Sequence, residues 1–248
     1  FPDAKNLFGN NIITAIVEDK SKNLWVGTLG TGLYKCHRFS SKVTSEKISV
    51  ENYLSGDYVT SLYYSLDDGL LVGTRNGVFY YDERLDKFRN FFDLKEVYVG
   101  DVFKENGVNA IVKDANDRFW FGTRTGAHAI TPKGLVSFYS KKNDSLSIPG
   151  NEVYDILVDK QGKIWLATNS GICVINKNLT RIYIPKVVKG FGTCRTSSAE
   201  VFCLTQSKNG LIWAGTANGI AGINTKSNAF IPLSELGNFP RNLINAME

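Results

Sequence analysis

The chain of 248 residues has little of what most catalytic and metal-binding proteins are recognised by. It holds two histidines, four cysteines, one methionine and six prolines. Cys36, Cys173, Cys194 and Cys203 form no C-x-x-C pair and keep no zinc-like spacing from histidine, so neither a zinc site nor a dithiol redox pair is indicated. Cys36, Cys173 and Cys203 read as small buried hydrophobes in strands. Cys194 sits in a polar loop, where a disulfide to Cys203 needs an oxidising compartment. No apolar run approaches the ~20 residues that cross a bilayer, and none reads as a secretory signal, so no membrane contact is expected of this segment. The net charge of +5 is mild and its lysines are spread through loops, whereas a nucleic-acid partner calls for a basic stripe on one element. No Walker loop, dinucleotide fingerprint or nucleophile elbow is present, and no cofactor is expected.

What the chain does hold is one phrase, five times. Leu24-Trp25-Val26-Gly27-Thr28 returns as Leu70-Leu71-Val72-Gly73-Thr74, Phe119-Trp120-Phe121-Gly122-Thr123, Ile164-Trp165-Leu166-Ala167-Thr168 and Ile212-Trp213-Ala214-Gly215-Thr216. The threonines lie 46, 49, 45 and 48 residues apart, a period that marks a repeat array and most often a propeller. Twelve and nine residues before the tryptophan position stand Ile13 and Ile16, Val59 and Leu62, Val108 and Ile111, Val153 and Ile156, and Val201 and Leu204. In a strand, positions three apart point to opposite faces, so this segment is expected to be apolar on both. A blade sandwiched between two others needs such a strand.

Each unit therefore reads as four strands. The first carries V-x-x-I, and an Asp/Asn-rich turn leads into the tryptophan strand. A glycine-ending turn leads into the third, and Lys87 to Phe92, Leu135 to Tyr139, Thr180 to Ile184 and Asn228 to Ile231 are candidates for the fourth. The fold class expected is an all-β propeller of five four-stranded blades over roughly 10–55, 56–105, 106–150, 151–198 and 199–240, with 241–248 opening a further blade. The whole of 1–248 reads as one array and a piece of a longer protein, preferably an arc of a larger, seven-bladed ring. An open arc bares strand edges, which makes a homodimer a candidate partner.

The phrase N-x-V-x-x-I, a turn, then L-W-x-G-T-x-x-G resembles the two-component regulator propeller repeat. It lacks the Gly-His and Trp-Asp of WD40 and the paired glycines of kelch. Leu71 replaces the tryptophan in the second copy, and Ala167 replaces the glycine in the fourth. The resemblance implies the periplasmic sensor region of a hybrid two-component histidine kinase, anchored in the inner membrane as a full-length protein. It implies an oligosaccharide or other small ligand, with the remainder of the same sensor as partner. Two alternatives stay open: a protein-interaction or dimerisation scaffold, and a propeller polysaccharide lyase or hydrolase.

Trp25, Leu71, Trp120, Trp165 and Trp213 hold one register in every unit, so they read as a packing layer rather than sugar platforms. The repeated threonines read as partners of turn backbone. His128 reads as a packed core residue, and His37 has no acidic or serine partner fixed by a motif. Asp114-Ala115-Asn116-Asp117 is too short for a calcium loop and ends in no bidentate glutamate, so no metal is expected. Recognition is expected where units differ, on the face shared by the turns between strands two and three and the inter-blade connections. The candidates there are Arg75, Asn76, Tyr98, Arg124, Asn169, Phe191, Arg195 and Asn218, whose amides, guanidinia and rings suit sugar hydroxyls and apolar sugar faces.

Overall fold

The computed structural model describes residues 12–39, 42–48, 58–185, 200–217 and 219–231. Among these, every sheet is a separate four-stranded antiparallel leaflet, and five are present. The first holds β1 (Ile12–Glu18), β2 (Leu24–Leu29), β3 (Gly32–Phe39) and β4 (Lys42–Ile48). The second holds β5 (Val59–Ser65), β6 (Gly69–Thr74), β7 (Gly77–Asp82) and β8 (Lys87–Asn90). The third holds β9 (Val108–Lys113), β10 (Phe119–Thr123), β11 (Gly126–Thr131) and β12 (Gly134–Phe138). The fourth holds β13 (Val153–Val158), β14 (Ile164–Thr168), β15 (Gly171–Ile175) and β16 (Ile182–Tyr183). The fifth holds β17 (Val201–Gln206), β18 (Ile212–Thr216), β19 (Gly219–Asn224) and β20 (Ala229–Phe230). Strands pair in sequence order within each sheet, the up-and-down order of a propeller blade. The start of a further blade at 241–248 lies outside the described residues.

One expected strand ends differently. Phe91 and Phe92 belong to a short helix (α1, Phe91–Leu94), because the Asn90 side chain accepts from the backbone N–H of Phe92 at 2.9 Å and of Asp93 at 3.3 Å. Both rings are buried there, and Phe92 stacks on Phe103 with centroids 4.4 Å apart.

The first strand of four sheets also departs from simple alternation. Val59 lies opposite Thr74 and Ser61 opposite Gly73, so Thr60 is an extra residue. Thr14, Tyr154 and Phe202 are extra in the same way. A bulge shifts the parity of the strand by one. Val59 and Leu62, three apart, therefore share one face, as do Val201 and Leu204, and each pair enters a single core cluster. The expectation that these positions face opposite ways is corrected: the spacing of three is the signature of the bulge.

The chain divides into two compact units, Phe1–Ile111 and Val112–Glu248, and the division falls inside β9. In the first unit, Trp25 and Leu33 of the first blade pack against Val59, Val72, Phe79 and Tyr81 of the second. In the second unit, Trp165, Ala167, Ile172 and Val174 of the fourth blade pack against Val201, Leu204, Ala214 and Ile223 of the fifth. Trp25, Leu71, Trp120 and Trp165 are fully enclosed. Trp213 is partly exposed; Trp25 and Trp165 each seat on the next blade, and most of the chain after the fifth blade lies outside the described residues. The phrase's glycine marks a close approach: a Cβ on Gly27 would stand 2.5 Å from Cγ1 of Val59.

His128 is fully buried, with Nε2 hydrogen-bonded to Thr123 Oγ1 at 3.2 Å and Nδ1 to Ser137 Oγ at 2.9 Å. Burial pushes its imidazole down to about 4, so it is a neutral core residue at physiological pH. Cys36, Cys173 and Cys203 are buried thiols, and burial raises the pKa of all three. Cys194 lies outside the described residues.

Asp155 is the one carboxylate among the described residues on the strand-one position held elsewhere by Ala15, Ser61, Ala110 and Cys203. Its Oδ2 accepts from Leu204 N at 2.7 Å, tying the fourth blade to the fifth, and its Oδ1 accepts from Ile156 N at 2.8 Å. Burial pushes it up to about 6 from 3.8, against the lowering effect of those two bonds. The native state therefore holds a proton between about pH 4 and pH 6 that the unfolded chain has released. Stability should fall as pH rises through that window, by on the order of 2–3 kcal/mol, and level off above it. Urea titrations of the parent chain and Asp155→Asn from pH 4 to 8 measure this as a difference. A pH-independent difference, or one in which the parent gains on the variant with rising pH, removes the assignment.

Candidate functional site

Four of the expected recognition residues sit in two-residue hairpins that the repeat's threonine shapes. Thr74 pairs with Gly77, Thr123 with Gly126 and Thr168 with Gly171, leaving Arg75-Asn76, Arg124-Thr125 and Asn169-Ser170 at the tips. In each, the threonine hydroxyl donates to the glycine carbonyl, at 3.1, 3.1 and 2.8 Å. It also accepts from the amide two residues on: Asn76, Thr125 or Ser170. The threonine thus closes each tip from both sides. Only glycine suits the far corner at 126, where φ is +146° and a Cβ would stand 2.5 Å from the Phe138 carbonyl oxygen.

In the first unit Arg75 lies over the Tyr58 ring, its guanidinium carbon 4.9 Å from the centroid. Its carbonyl accepts from Gly107 N at 3.1 Å. Tyr98 stands apart at 91% exposure. In the second unit Arg124 and Asn169 come together around one glutamate. Arg124 Nε is 3.9 Å from Glu152 Oε1, and Asn169 N donates to the Glu152 carbonyl at 3.0 Å. The Asn169 Oδ1 atom is buried with no hydrogen-bond partner among the described residues, packed against Gly150. Phe191, Arg195 and Asn218 lie outside the described residues.

Around Glu152 the structure gathers residues that the repeat pattern alone does not single out. The Tyr154 hydroxyl lies 3.3 Å from Glu152 Oε2 and 3.3 Å from Glu200 Oε1. The Phe202 ring centroid is 5.4 Å from that of Tyr154. Tyr154 has one proton to donate, so one of the two carboxylates always lacks it. Burial, then the charges of Glu152 and Glu200, push the phenol up to about 12. It is therefore a neutral donor near neutral pH rather than a base.

A signal for this group was present. Glu152-Val153-Tyr154 and Glu200-Val201-Phe202 are the same pattern at the same repeat position, acid, valine, then an aromatic ring. Tyr154 and Phe202 are the extra residues of their bulges, and a bulge re-aims the side chain it adds. In the first two blades that position is Thr14 and Thr60, whose hydroxyls instead donate across to the Val59 and Val108 carbonyls at 2.8 and 2.6 Å.

Among the described residues no group of three or more His, Cys, Asp or Glu side chains is placed to hold a metal ion. No helix among them is long and apolar enough to cross a membrane.

Comparison with known proteins places this geometry in context. The family model described as "Two component regulator propeller" matches residues 6–30, 103–125 and 147–170. Histidine kinase P4 of Formosa agariphila is 30% identical over 187 residues, 71% of this chain but 13% of that protein. The extracellular domain of a candidate hybrid two-component system from B. thetaiotaomicron superposes with a TM-score of 0.65 at 18% identity, over 90% of this chain and 30% of that one. Virginiamycin B lyase from Staphylococcus aureus shares the fold with a TM-score of 0.62 at 13% identity, over 98% of this chain and 72% of the enzyme. The chain thus spans a small part of the kinase and under a third of the hybrid-system domain. At three of its five copies the recurring phrase of this chain matches the two-component regulator propeller repeat.

Proposed function

We propose that this chain is a ligand-sensing module from the extracytoplasmic region of a hybrid two-component signalling protein. It binds an oligosaccharide and signals through domain or subunit rearrangement. The observation that carries this reading is the repeat itself, matched by the family model at three places and shared with a histidine kinase along 71% of the chain. The likeness to an extracellular domain supports a periplasmic place, with the remainder of the same protein as partner. Residues 1–248 act as one repeat array within that region.

The rim of the second unit supports binding over catalysis. Tyr154 and Phe202 offer ring surface, Glu152 and Glu200 offer acceptors, and Arg124 and Asn169 offer donors. Those are complementary to a polyhydroxylated ligand. A tyrosine held neutral well above pH 7 serves as a hydrogen-bond donor there rather than a proton abstractor. Phe191, Arg195 and Asn218 stay candidates from sequence alone, and Arg75, Asn76 and Tyr98 serve the first unit.

Calorimetry against an oligosaccharide panel tests the reading. At least one member should bind, and Arg124→Ala should weaken it by roughly ten-fold. No binder in the panel sinks the proposal, and shortened or unsaturated sugar products would make the chain an enzyme instead. A scaffold that pairs copies is the second reading, favoured by the exposure of Ile12, Ile13 and Ile16 on the first blade at 63, 45 and 59%. Sedimentation of the sugar-free chain separates the two, since a scaffold is already dimeric.

A further inference from the structure

The first unit carries a cavity of about 430 Å³ at the end of the strands opposite the Arg75 turn. Lys20 of the first blade lines it, together with Tyr64, Asp67, Tyr80, Glu83 and Arg84 among the residues of the second, and the buried Leu70 and Tyr81 border it as well. We propose that this cavity is a second saccharide site, one that takes a neutral sugar of one or two rings. Such a site requires nothing of the rim in the second unit and nothing of a signalling role.

The fold leaves several polar groups here unspent. Among the described residues, the Tyr80 hydroxyl, the Asp67 carboxylate and the Arg84 guanidinium make no hydrogen bond or ion pair, yet all three line the cavity. The Tyr64 hydroxyl accepts from Lys20 N at 3.0 Å, which leaves its own proton to donate. The cavity therefore presents donors and an acceptor together, the pattern that a ring with several hydroxyls satisfies and a single-function ligand does not. Tyr80 lies against the turn at Gly69, where φ is +70° and a Cβ would stand 3.1 Å from Cε2 of the ring, so one edge of the wall is fixed. Its exposed surface offers an apolar face to sugar C–H groups.

Charge narrows the class. Asp67, Asp82 and Glu83 face Lys20 and Arg84, and Lys20 is already engaged by Glu83 at 3.4 Å. The surplus is acidic, which disfavours phosphorylated and carboxylated sugars. A volume of this order holds one or two pyranose rings.

The test titrates the full chain with glucose, galactose, mannose, N-acetylglucosamine, maltose, cellobiose and lactose, read by tyrosine fluorescence and calorimetry. At least one should bind, and Tyr80→Phe and Asp67→Asn should each raise its Kd roughly ten-fold. Neither polar group has a partner to lose among the described residues, so the melting temperature should not move. Arg124→Ala should leave this affinity unchanged, which separates the cavity from the rim. The proposal is overturned if no sugar binds at millimolar concentration, if both cavity variants bind as the parent does, or if a sugar phosphate binds more tightly than its parent sugar.

Discussion

Replacing Trp165 by alanine is expected to lower the free energy of unfolding by about 3–5 kcal/mol, the range for deleting a buried large aromatic. The indole is fully enclosed and shares a core cluster with Val201, Leu204, Ala214 and Ile223 of the next blade. Its removal opens a void at the seam between two sheets. That void cannot collapse without moving a blade, which places the cost toward the upper end of the range. Trp165→Leu should cost less, because the second blade manages the same position with Leu71, also fully enclosed. The expected order in a chemical melt is parent, then leucine, then alanine. A midpoint for the alanine variant equal to the parent's would show that the indole is not part of the seam. Trp213 gives an internal contrast: it is partly exposed, so its alanine variant should lose less.

The repeat made most of this legible in advance. Sheet count, strand order, the glycine corners and the threonine that closes each hairpin all derive from a phrase copied five times, because a residue demanded by geometry in one blade is demanded in every blade. The bulge was visible in the spacing of Val59 and Leu62, but its meaning was hidden, since a spacing of three in a strand reads as two faces unless a residue is extra. The helix at Phe91–Leu94 escaped because Asn90 caps it by a side-chain bond that no periodicity announces. The rim was half legible. Arg124 and Asn169 stood out as hairpin tips, whereas Glu152, Tyr154, Glu200 and Phe202 lie inside or beside apolar strands and read as strand. What brings them out is the bulge.

The tryptophan's polar edge depends on a residue six positions earlier, and removing that residue should cost nearly as much as removing the ring. Asp159 is buried, and its Oδ2 accepts from Trp165 Nε1 at 2.8 Å. Its Oδ1 accepts from the backbone N–H of Gln161 and of Lys163, both at 2.9 Å. Asp19 and Asp114 do the same for Trp25 and Trp120, at 3.0 and 2.9 Å. At Asp19 burial pushes the carboxyl up, but the bonds from Asn23, Trp25 and Ser21 outweigh it and hold the group below its ordinary value. One carboxylate thus ties the first turn to the indole in three blades, while Ser65 stands at that position before Leu71 and Ser207 before Trp213. Asp159→Ala orphans three donors, two of them on a tight turn, and is expected to cost roughly 2–4 kcal/mol in urea unfolding. Because the aspartate and the indole share one bond, the losses should not add. In Trp165→Phe, which keeps the ring bulk but has no N–H, Asp159→Ala should cost less than in the parent by about 1–2 kcal/mol. Strict additivity in that cycle would mean that the bond seen at 2.8 Å contributes nothing to holding the blade together.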